Sequence, residues 1–266
     1  MKKRILITGS TDGIGLETAK MLLTQGHHLI IHGRNSEKLE KVVNSLRELN
    51  PEPDIAHYSC DLSDLSAVSS LAKTIATNHP DLDVIINNAG VFVVPDPVTE
   101  NGLDLRFVVN TIAPYHLTKL LLPILGSSGR VINLSSAAQT PVSLDALKGT
   151  QKLDNNQAYA QSKLALTMWS RYLAQTNADG PTIIAVNPGS FLGSKMVKEA
   201  YGNEGKDLGI GAKILTSSAL DKEFADATGK YFDNDSGTFS SPHPDALNEQ
   251  KISEVVQSIE EIVSIS

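Results

Sequence analysis

The sequence predicts an α/β fold in which one doubly wound, parallel β-sheet carries helices on both faces. Short, continuous apolar runs recur between longer amphipathic stretches, which is typical of strands that helices bury on both sides. No repeat of about 20 to 50 residues and no linker rich in Pro, Gly or Ser divides the 266 residues. We therefore expect one domain over residues 1–266, with right-handed crossovers and about seven strands.

The apolar runs predict the strands, and helical spacing predicts the segments between them. Strands are expected at 4–7, 28–32, 55–58, 83–86, 130–134, 182–186 and 230–232. A first helix is expected where Leu16, Ala19, Leu22 and Leu23 recur before Gly26, and others at 37–49, 65–78, 103–122, 158–175, 209–218 and 245–263. The least regular stretches are 140–157, 188–207 and 234–244. They are expected to flank a binding crevice, with substrate loops near 140–157 and 188–207.

The composition excludes several classes of function. A net charge of −7, with no basic run beyond residues 2–4, argues against a nucleic-acid partner. Cys60 is the only cysteine, which excludes an internal disulfide and a cysteine zinc cluster and fits a reducing compartment. The seven histidines show no metal-binding spacing, so no metal is expected. Cys60 itself is expected to be a small buried hydrophobe.

The first residues resemble a basic signal-peptide start, but their apolar stretch ends after three residues at Thr8-Gly9. The apolar segment 120–125 contains Pro123 and runs into Gly126. Both are short for a membrane-spanning helix. The expectation is a cytoplasmic protein without a membrane span.

A glycine-rich loop follows the first strand, with the sequence TGSTDGIG from Thr8 to Gly15. Such a loop bends sharply and presents unpaired N–H groups at a helix N-terminus, and the missing Cβ atoms let a pyrophosphate approach the backbone. A tight turn without a ligand is the alternative for the loop in isolation. Its position at the first turn of a doubly wound, Rossmann-type pattern favours a dinucleotide.

The end of the second strand indicates which dinucleotide. An acidic residue about 20 positions past the loop would bond the 2′-hydroxyl of NAD, but the chain has His32-Gly33-Arg34-Asn35. Because the Arg34 guanidinium suits a 2′-phosphate, NADP is favoured and NAD is the less favoured cofactor. Glu37 lies close enough to this position that NAD remains an alternative cofactor. The alternative interpretation of Arg34 is a solvated surface residue without a ligand.

Tyr159 and Lys163 are four residues apart, on one face of a predicted helix. A phenol with a pKa of about 10 is a poor proton donor or base unless its anion is stabilised. A neighbouring ammonium can stabilise that anion by about 1.4 kcal/mol for each unit by which the pKa falls. An ordinary amphipathic helix position is the alternative for this pair alone.

Taken together, these motifs resemble the short-chain dehydrogenase/reductase family, from the glycine loop to the last helix. The matching segments are the loop Gly9, Ser10, Thr11, Asp12, Gly13, Ile14 and Gly15; Arg34 and Asn35; Asp61 and Leu62 after Cys60; Asn88, Ala89 and Gly90 after Asn87; the turn Pro188-Gly189; and the tetrad Asn110, Ser136, Tyr159 and Lys163.

The resemblance implies a role for each member of the tetrad in an NADP-dependent carbonyl reduction that is reversible. Tyr159 would be the general acid, and the base in alcohol oxidation. Ser136 would hydrogen-bond the substrate oxygen, with Ser135 as the second candidate. Lys163 would lower the pKa of Tyr159 and bond the nicotinamide ribose, and Asn110 would hold a proton-relaying water. The cofactor supplies the hydride.

Structural alternatives exist for individual residues. Asn110 could cap a turn ahead of Pro114, and the serines could be polar groups at a strand end. Asp61 could instead N-cap the helix that begins near Asp64.

The sequence departs from the family pattern at two places: the first leaves the carboxamide contact unassigned, and the second points to one branch of the family. Gly193, beside Ser194, stands where many members have a threonine that bonds the carboxamide. The gap from Ser136 to Tyr159 is long, which resembles the retinol dehydrogenase and protochlorophyllide reductase branch, as does the late segment Gly229-Lys230-Tyr231-Phe232. Members of that branch often act on apolar or bulky carbonyls.

Other features leave alternatives open. An apolar cluster after the Pro-Gly turn forms either a substrate lid or a helix packed on the core; it comprises Phe191, Leu192, Met196, Val197 and Tyr201. Trp169 is expected in the core or an interface. Helices 103–122 and 158–175 are candidates for pairing across a two-fold axis in a homo-oligomer. A non-catalytic NADP sensor or scaffold is the second hypothesis, and a nucleotide-sugar epimerase or lyase the third.

Overall fold

Eight strands form one sheet in the computed structural model, which describes residues 2–202 and 204–265 and, within them, no side chains at 199–201. The strands are β1 (Arg4–Ile7), β2 (His28–Gly33), β3 (Ile55–Ser59), β4 (Leu82–Asn87), β5 (Arg130–Leu134), β6 (Thr182–Asn187), β7 (Tyr231–Asp233) and β8 (Thr238–Ser240). Their order is β3-β2-β1-β4-β5-β6-β7-β8. The doubly wound, mostly parallel sheet that the sequence predicts is confirmed.

The eighth strand was not expected. β8 pairs antiparallel with β7 at the edge of the sheet. Three residues are too few to show the alternation by which a strand is recognised in a sequence. The other seven strands are parallel to their neighbours, and the order reverses between β1 and β4. This reversal opens a crevice at the carboxyl ends of the strands.

Ten α-helices surround the sheet in the described part of the chain, and two 3-10 turns lie at Lys222–Phe224 and Pro244–Leu247. The α-helices are α1 (Gly13–Thr24), α2 (Ser36–Leu49), α3 (Leu65–Asn78), α4 (Leu105–Phe107), α5 (Ala113–Leu125), α6 (Leu144–Leu147), α7 (Asn155–Thr176), α8 (Lys195–Tyr201), α9 (Leu208–Leu220) and α10 (Glu249–Ser264). A π-helical turn, Val108–Ile112, joins α4 to α5. The short helices α6 and α8 lie in stretches for which the sequence predicts irregular structure.

The core has two layers, one on each face of the sheet. On β1, Ile5 and Ile7 pack with α1, α2 and α9. Leu6, which lies between them, packs on the other face with α3, α5, α7 and α10. This alternation follows from the two-residue period of a strand.

Helix α7 is covered along its middle by its own chain. Residues 160–170 are all buried, and α10 packs against α7. Trp169 is fully buried, with its ring 5.7 Å from that of Tyr115. Trp169 is therefore a core residue, and the expected pairing of α7 with a second copy finds no exposed surface over 160–170.

The continuous helical run Leu105–Leu125 has the length and apolar character of a membrane-spanning helix, but 67% of its most apolar window is buried inside the fold. Burial of that extent is typical of a core helix.

Candidate cofactor and active site

A cavity of about 460 Å³ lies at the carboxyl ends of the parallel strands. Its walls are formed by the glycine loop, the end of β2, the segments after β3, β4 and β6, the α4 and π-helical turn, the end of β5, helix α7 and the segment around α8. The lining residues that the sequence predicted are Gly9, Thr11, Asp12, Gly13, Ile14, Arg34, Asp61, Leu62, Asn88, Ala89, Gly90, Tyr159, Lys163 and Pro188. The structure therefore brings most of the predicted site together.

The glycine loop is held against the segment that follows β4. Gly9 has a φ of +62°, and a Cβ there would lie 2.8 Å from the Cα of Ala89. A Cβ at Gly15 would lie 2.4 Å from Nδ2 of Asn88. That amide donates to the backbone oxygens of Thr8 and Gly9 at 2.8 and 2.9 Å. Glycine is thus required by close packing, and the resulting loop leaves its outer surface open for a phosphate.

Ser10 takes no part in the cavity wall, although it lies in the loop. Its hydroxyl is buried and donates to the backbone oxygen of Ile7 at 2.9 Å. Gly15 and Asn35 also lie outside the cavity wall. Asn35 caps α2 by accepting from the N–H of Lys38 at 2.8 Å. Ser10, Gly15 and Asn35 therefore support the glycine loop and the start of α2 without lining the cavity.

His32, which lies in the cavity wall, was missed as a functional residue. Its Nδ1 accepts from the N–H of Gly9 at 3.2 Å. Because Nδ1 accepts, the ring proton lies on Nε2, which donates to the backbone oxygen of Cys60 at 3.1 Å. Burial lowers the pKa of His32 to about 4, so the ring is neutral at ordinary pH. His32 ties the glycine loop to the end of β3.

The end of β2 places charged groups around one end of the cavity. Arg34 is exposed and lines the cavity, whereas Glu37 does not line it. Asp61 accepts from the N–H and the hydroxyl of Ser63, and Asp64 caps α3. The alternative in which Asp61 caps that helix is therefore wrong.

Tyr159 and Lys163 meet at the other end of the cavity. Nζ of Lys163 is 5.7 Å from the centre of the Tyr159 ring, and it donates to the backbone oxygen of Leu134 at 2.7 Å. Burial lowers the pKa of Lys163 to about 8. The Tyr159 ring packs on Phe92, with ring centres 4.6 Å apart. A phenol and a buried cation thus share one apolar wall.

Asn110 lies in the π-helical turn and is fully buried. Its Oδ1 accepts from the N–H of Val91 at 2.8 Å, and its Nδ2 donates to the backbone oxygen of Val91 at 2.9 Å. Nδ2 also donates to the hydroxyl of Ser162 at 3.0 Å. Asn110 therefore fixes the backbone beside Lys163 and does not cap a turn ahead of Pro114.

The two serines after β5 face different ways. The Ser135 hydroxyl is buried and lies 2.7 Å from that of Thr167. The Ser136 hydroxyl accepts from the N–H of Ala138 at 3.1 Å, and the residue is half-buried. Ser135 lines the cavity and Ser136 does not, so the serine that the sequence predicts to bond the substrate oxygen lies outside the cavity wall.

The Pro-Gly turn follows β6, and Pro188 alone of the two residues lines the cavity. Gly189 donates its N–H to the side chain of Asn187 at 3.2 Å. At Gly193 a Cβ would lie 2.5 Å from the backbone oxygen of Glu204. Because of this close approach, a threonine does not fit at position 193. The neighbouring Ser194 lines the cavity and caps α8.

The apolar cluster after the Pro-Gly turn does not form one surface. Phe191 is 54% exposed, with a φ of +57°, while Leu192 is buried in the core. Met196 lines the cavity, and its Cε lies 3.8 Å from a Cβ built on Gly90. Val197 is half-buried, and the Tyr201 side chain lies outside the described residues. The segment around α8 supplies a cavity wall, whereas no residue of 140–157 lines the cavity.

A family model for short chain dehydrogenase matches residues 3–205. The chain belongs to the short chain dehydrogenase family. Retinol dehydrogenase 13 of Homo sapiens is 32% identical over 270 residues, which cover 93% of this chain and 80% of that protein. Short-chain dehydrogenase TIC 32 A of Brassica napus, a chloroplastic protein, is 33% identical over 251 residues, which cover 85% and 78% respectively. The resemblance to the retinol dehydrogenase branch is confirmed.

A solved short chain dehydrogenase from Shigella flexneri 2a, in complex with NADP, is also similar to this dehydrogenase. Its TM-score is 0.67 at 28% identity, and the match covers 87% of this chain and 96% of that one. These similarities make the dehydrogenase an NAD(P)-dependent oxidoreductase.

The residues of the dehydrogenase fit a nicotinamide dinucleotide. The cavity volume lies within the range of about 300 to 1,000 Å³ of small-molecule sites. Gly9 and Gly13 of the glycine loop line the cavity without side chains of their own, and the cations Arg34 and Lys163 line the same cavity. Among residues 2–202 and 204–265, no group of three or more His, Cys, Asp or Glu residues could hold a metal ion.

Proposed function

We propose that the chain is an NADPH-dependent reductase of apolar aldehydes and ketones, which also oxidises the matching alcohols. The observation that carries this proposal is the pairing of Tyr159 with the buried ammonium of Lys163 on the cavity wall. NADPH, when bound, supplies the hydride to the carbonyl carbon. The protein supplies the proton and holds the substrate oxygen.

Tyr159 is the proposed proton donor to that oxygen. A positive charge on Lys163 stabilises the phenolate that remains and so lowers the pKa of the phenol. The Ser136 hydroxyl accepts from the N–H of Ala138, and we assign its O–H as a donor to the developing alkoxide. In alcohol oxidation the phenolate takes the proton back. Asn110 fixes the backbone at Val91, and we assign it the water that returns protons to Lys163.

NADPH is proposed over NADH because Arg34 lines the cavity at the end of β2. Its planar guanidinium can bond a 2′-phosphate with two hydrogen bonds. Glu37, which would favour NAD, lies outside the cavity wall. The NADP complex of the Shigella flexneri relative supports the same assignment.

An apolar substrate is proposed because the wall near Tyr159 is apolar. It is formed by Val91, Phe92, Val93, Leu105 and Val109. Such a wall favours a carbonyl that carries a hydrocarbon group, since burial of that group is worth about 25 cal/mol per Å². Retinol dehydrogenase 13, by its name, acts on an apolar alcohol, which supports the class but does not name this substrate.

We propose the cytoplasm as the compartment, because the one cysteine of the chain is free and buried and a reducing environment suits it. One relative is chloroplastic, so the compartment is to be tested by fractionation of the native cells with an antibody.

The direct test follows nicotinamide absorbance with NADPH and NADH against matched panels of apolar and polar aldehydes and ketones. Wild type is expected to oxidise NADPH with the apolar panel. The Tyr159→Phe variant is expected to lose at least about a hundredfold in kcat while it binds NADPH as wild type does. Full activity of Tyr159→Phe would contradict the proposed mechanism. Binding of NADPH without turnover on any carbonyl would instead support a sensor or scaffold.

A further inference from the structure

Arg106, in α4, is a buried cation that the proposed mechanism does not use. The residue is 1% exposed. Its Nε and Nη2 donate to the two carboxylate oxygens of Asp104 at 2.8 and 2.6 Å. Burial of a guanidinium is costly unless its donors are paired, and a two-point bond to a carboxylate fixes the plane of the group. Asp104 therefore holds the guanidinium of Arg106 in one orientation.

The third nitrogen of that guanidinium reaches the helix that carries Tyr159. Nη1 of Arg106 donates to Oδ1 of Asn155, which is the first residue of α7. Asn155 and Tyr159 are four residues apart, so they lie on one face of α7, one turn from each other. Leu105, the neighbour of Arg106, lines the cavity. The bond therefore joins a segment of the cavity wall to the start of the helix that bears the phenol.

A second anchor holds α7 beyond Tyr159. In the π-helical turn, the Thr111 hydroxyl donates to the backbone oxygen of Ser162 at 2.7 Å, and Nδ2 of Asn110 donates to the Ser162 hydroxyl at 3.0 Å. The segment from α4 through the π-helical turn thus holds α7 on both sides of Tyr159. Asn155 is exposed, so a substitution there releases the first anchor without opening the core.

We propose that Arg106 is a positioning residue, which holds the start of α7 so that the Tyr159 phenol stays beside Lys163 and within reach of the substrate oxygen. A displacement of about 1 Å in a reacting group can cost about a hundredfold in rate. A phenol that moves away from the ammonium also loses stabilisation of its anion. This inference rests on the proposed role of Tyr159 in carbonyl reduction and adds the residue that holds it in place.

The test measures kcat for carbonyl reduction, the dissociation constant of NADPH by calorimetry, and the pH dependence of alcohol oxidation. Asn155→Ala removes the acceptor of the Arg106 bond, while Asp154 still caps α7. We expect kcat to fall about tenfold. NADPH binding is expected to stay within about twofold of wild type, because Asp104, Arg106 and Asn155 do not line the cavity.

The pH profile of Asn155→Ala separates positioning from a general loss of structure. Alcohol oxidation needs the phenolate of Tyr159, so its kcat rises with pH as the phenol ionises. A phenol farther from the ammonium has a higher pKa, and the rise is therefore expected at higher pH than in wild type. Asn155→Asp keeps an acceptor oxygen and is expected to restore both kcat and the profile.

Asn156→Ala is the matched control, because Asn156 is exposed and successive residues of a helix do not share a face. It is expected to behave as wild type in all three measurements. Arg106→Lys keeps the charge but lacks the planar fork, and it is expected to reproduce the effects of Asn155→Ala.

Two results would overturn the role of Arg106 and leave the proposed function standing. One is an Asn155→Ala variant that matches Asn156→Ala in kcat and pH profile. The other is a loss of kcat that NADPH binding follows by the same factor, with an unchanged pH profile. If wild type reduces no carbonyl, or if Tyr159→Phe keeps full activity, the proposed function fails and this inference fails with it.

Discussion

At the scale of single residues, the site depends on where each polar atom has already found a partner. The Ser135 hydroxyl is held by Thr167 inside the fold, and for this reason Ser136 is the serine proposed to bond the substrate oxygen. The ring of His32 is held on both nitrogens. Lys163 keeps one backbone acceptor in surroundings that lower its pKa to about 8. Function at this scale follows from burial as much as from residue type.

The charge of Lys163 predicts a pH dependence of carbonyl reduction. Because burial brings its pKa down to about 8, the ammonium is present below that pH and is lost as the pH rises through it. We expect kcat for reduction to fall about tenfold from pH 7 to pH 9, since Tyr159 then loses its stabilising charge. A pH–rate profile checks this. Lys163→Arg, whose guanidinium does not titrate, is expected to move the decline to higher pH, and a flat wild-type profile would contradict the assignment.

The close approach of Gly9 to Ala89 predicts that a side chain at position 9 destabilises the fold. Comparison with a second glycine of positive φ separates this steric effect from backbone strain. Gly9 and Gly237 both have positive φ, +62° and +69°, but a Cβ on Gly237 meets nothing within 4 Å. We expect Gly9→Ala to lower the free energy of unfolding by about 1–3 kcal/mol more than Gly237→Ala does, because its Cβ collides with Ala89. Urea denaturation measures both, and equal losses would show that packing against Ala89 is unimportant.

At the scale of elements, the sequence predicted the strands, helices and loops that show a hydrophobic period or a motif. The seven parallel strands and the long helices were found because their apolar residues recur regularly. β8 and α6 were missed because each is too short to show a period, and the π-helical turn has no signal in hydrophobic spacing. A helix at α8 was one of two alternatives that the apolar cluster left open. His32 carries no motif, and its role depends on contacts between distant segments. Arg34 and the glycine loop were recognised because a βαβ unit fixes where they lie.

A substitution in the loop between β7 and β8 is expected to weaken substrate binding. Asp235 accepts from the N–H and the hydroxyl of Ser190 at 2.9 and 2.5 Å, and from the side chain of Asn187 at 2.9 Å. These bonds hold the segment that follows the Pro-Gly turn. We expect Asp235→Ala to raise KM for the carbonyl several-fold and to lower the free energy of unfolding by about 1–3 kcal/mol.

Asp226→Ala is the control for this substitution, because Asp226 is exposed. A surface change of that kind is expected to stay within about 0.5 kcal/mol of wild type. An Asp235→Ala variant with unchanged KM would show that the loop does not position the site.

At the scale of the whole molecule, the cavity and the outer helix α10 lie apart. The glycine loop, the end of β2 and the segment around α8 enclose the cavity at one edge, while α10 closes the core over α7 and lines no part of the cavity. Stability of the α10 face and cofactor binding should therefore respond to different substitutions.

A substitution in helix α10 is expected to change stability without changing cofactor binding. Ile259 is fully buried, and Ile259→Ala is expected to cost about 2–4 kcal/mol of unfolding free energy while it leaves the dissociation constant of NADPH within about twofold of wild type. Val263→Ala, at a half-buried position on the same helix, is expected to cost less than half as much. Chemical denaturation measures the unfolding free energy and calorimetry measures the dissociation constant. A parallel loss of NADPH affinity would mean that packing under α10 and cofactor binding are coupled.

The measurement that tests the central claim most directly is hydride transfer from NADPH that carries deuterium at both hydrogen positions of nicotinamide C4. The protein is incubated with the labelled cofactor and the apolar aldehyde that the panel favours, and the alcohol is analysed by mass spectrometry and NMR. We predict one deuterium on the carbinol carbon with wild type and no labelled alcohol above background with Tyr159→Phe. An alcohol without deuterium, or no alcohol from any carbonyl tested, would contradict the assignment of this chain as an NADPH-dependent carbonyl reductase.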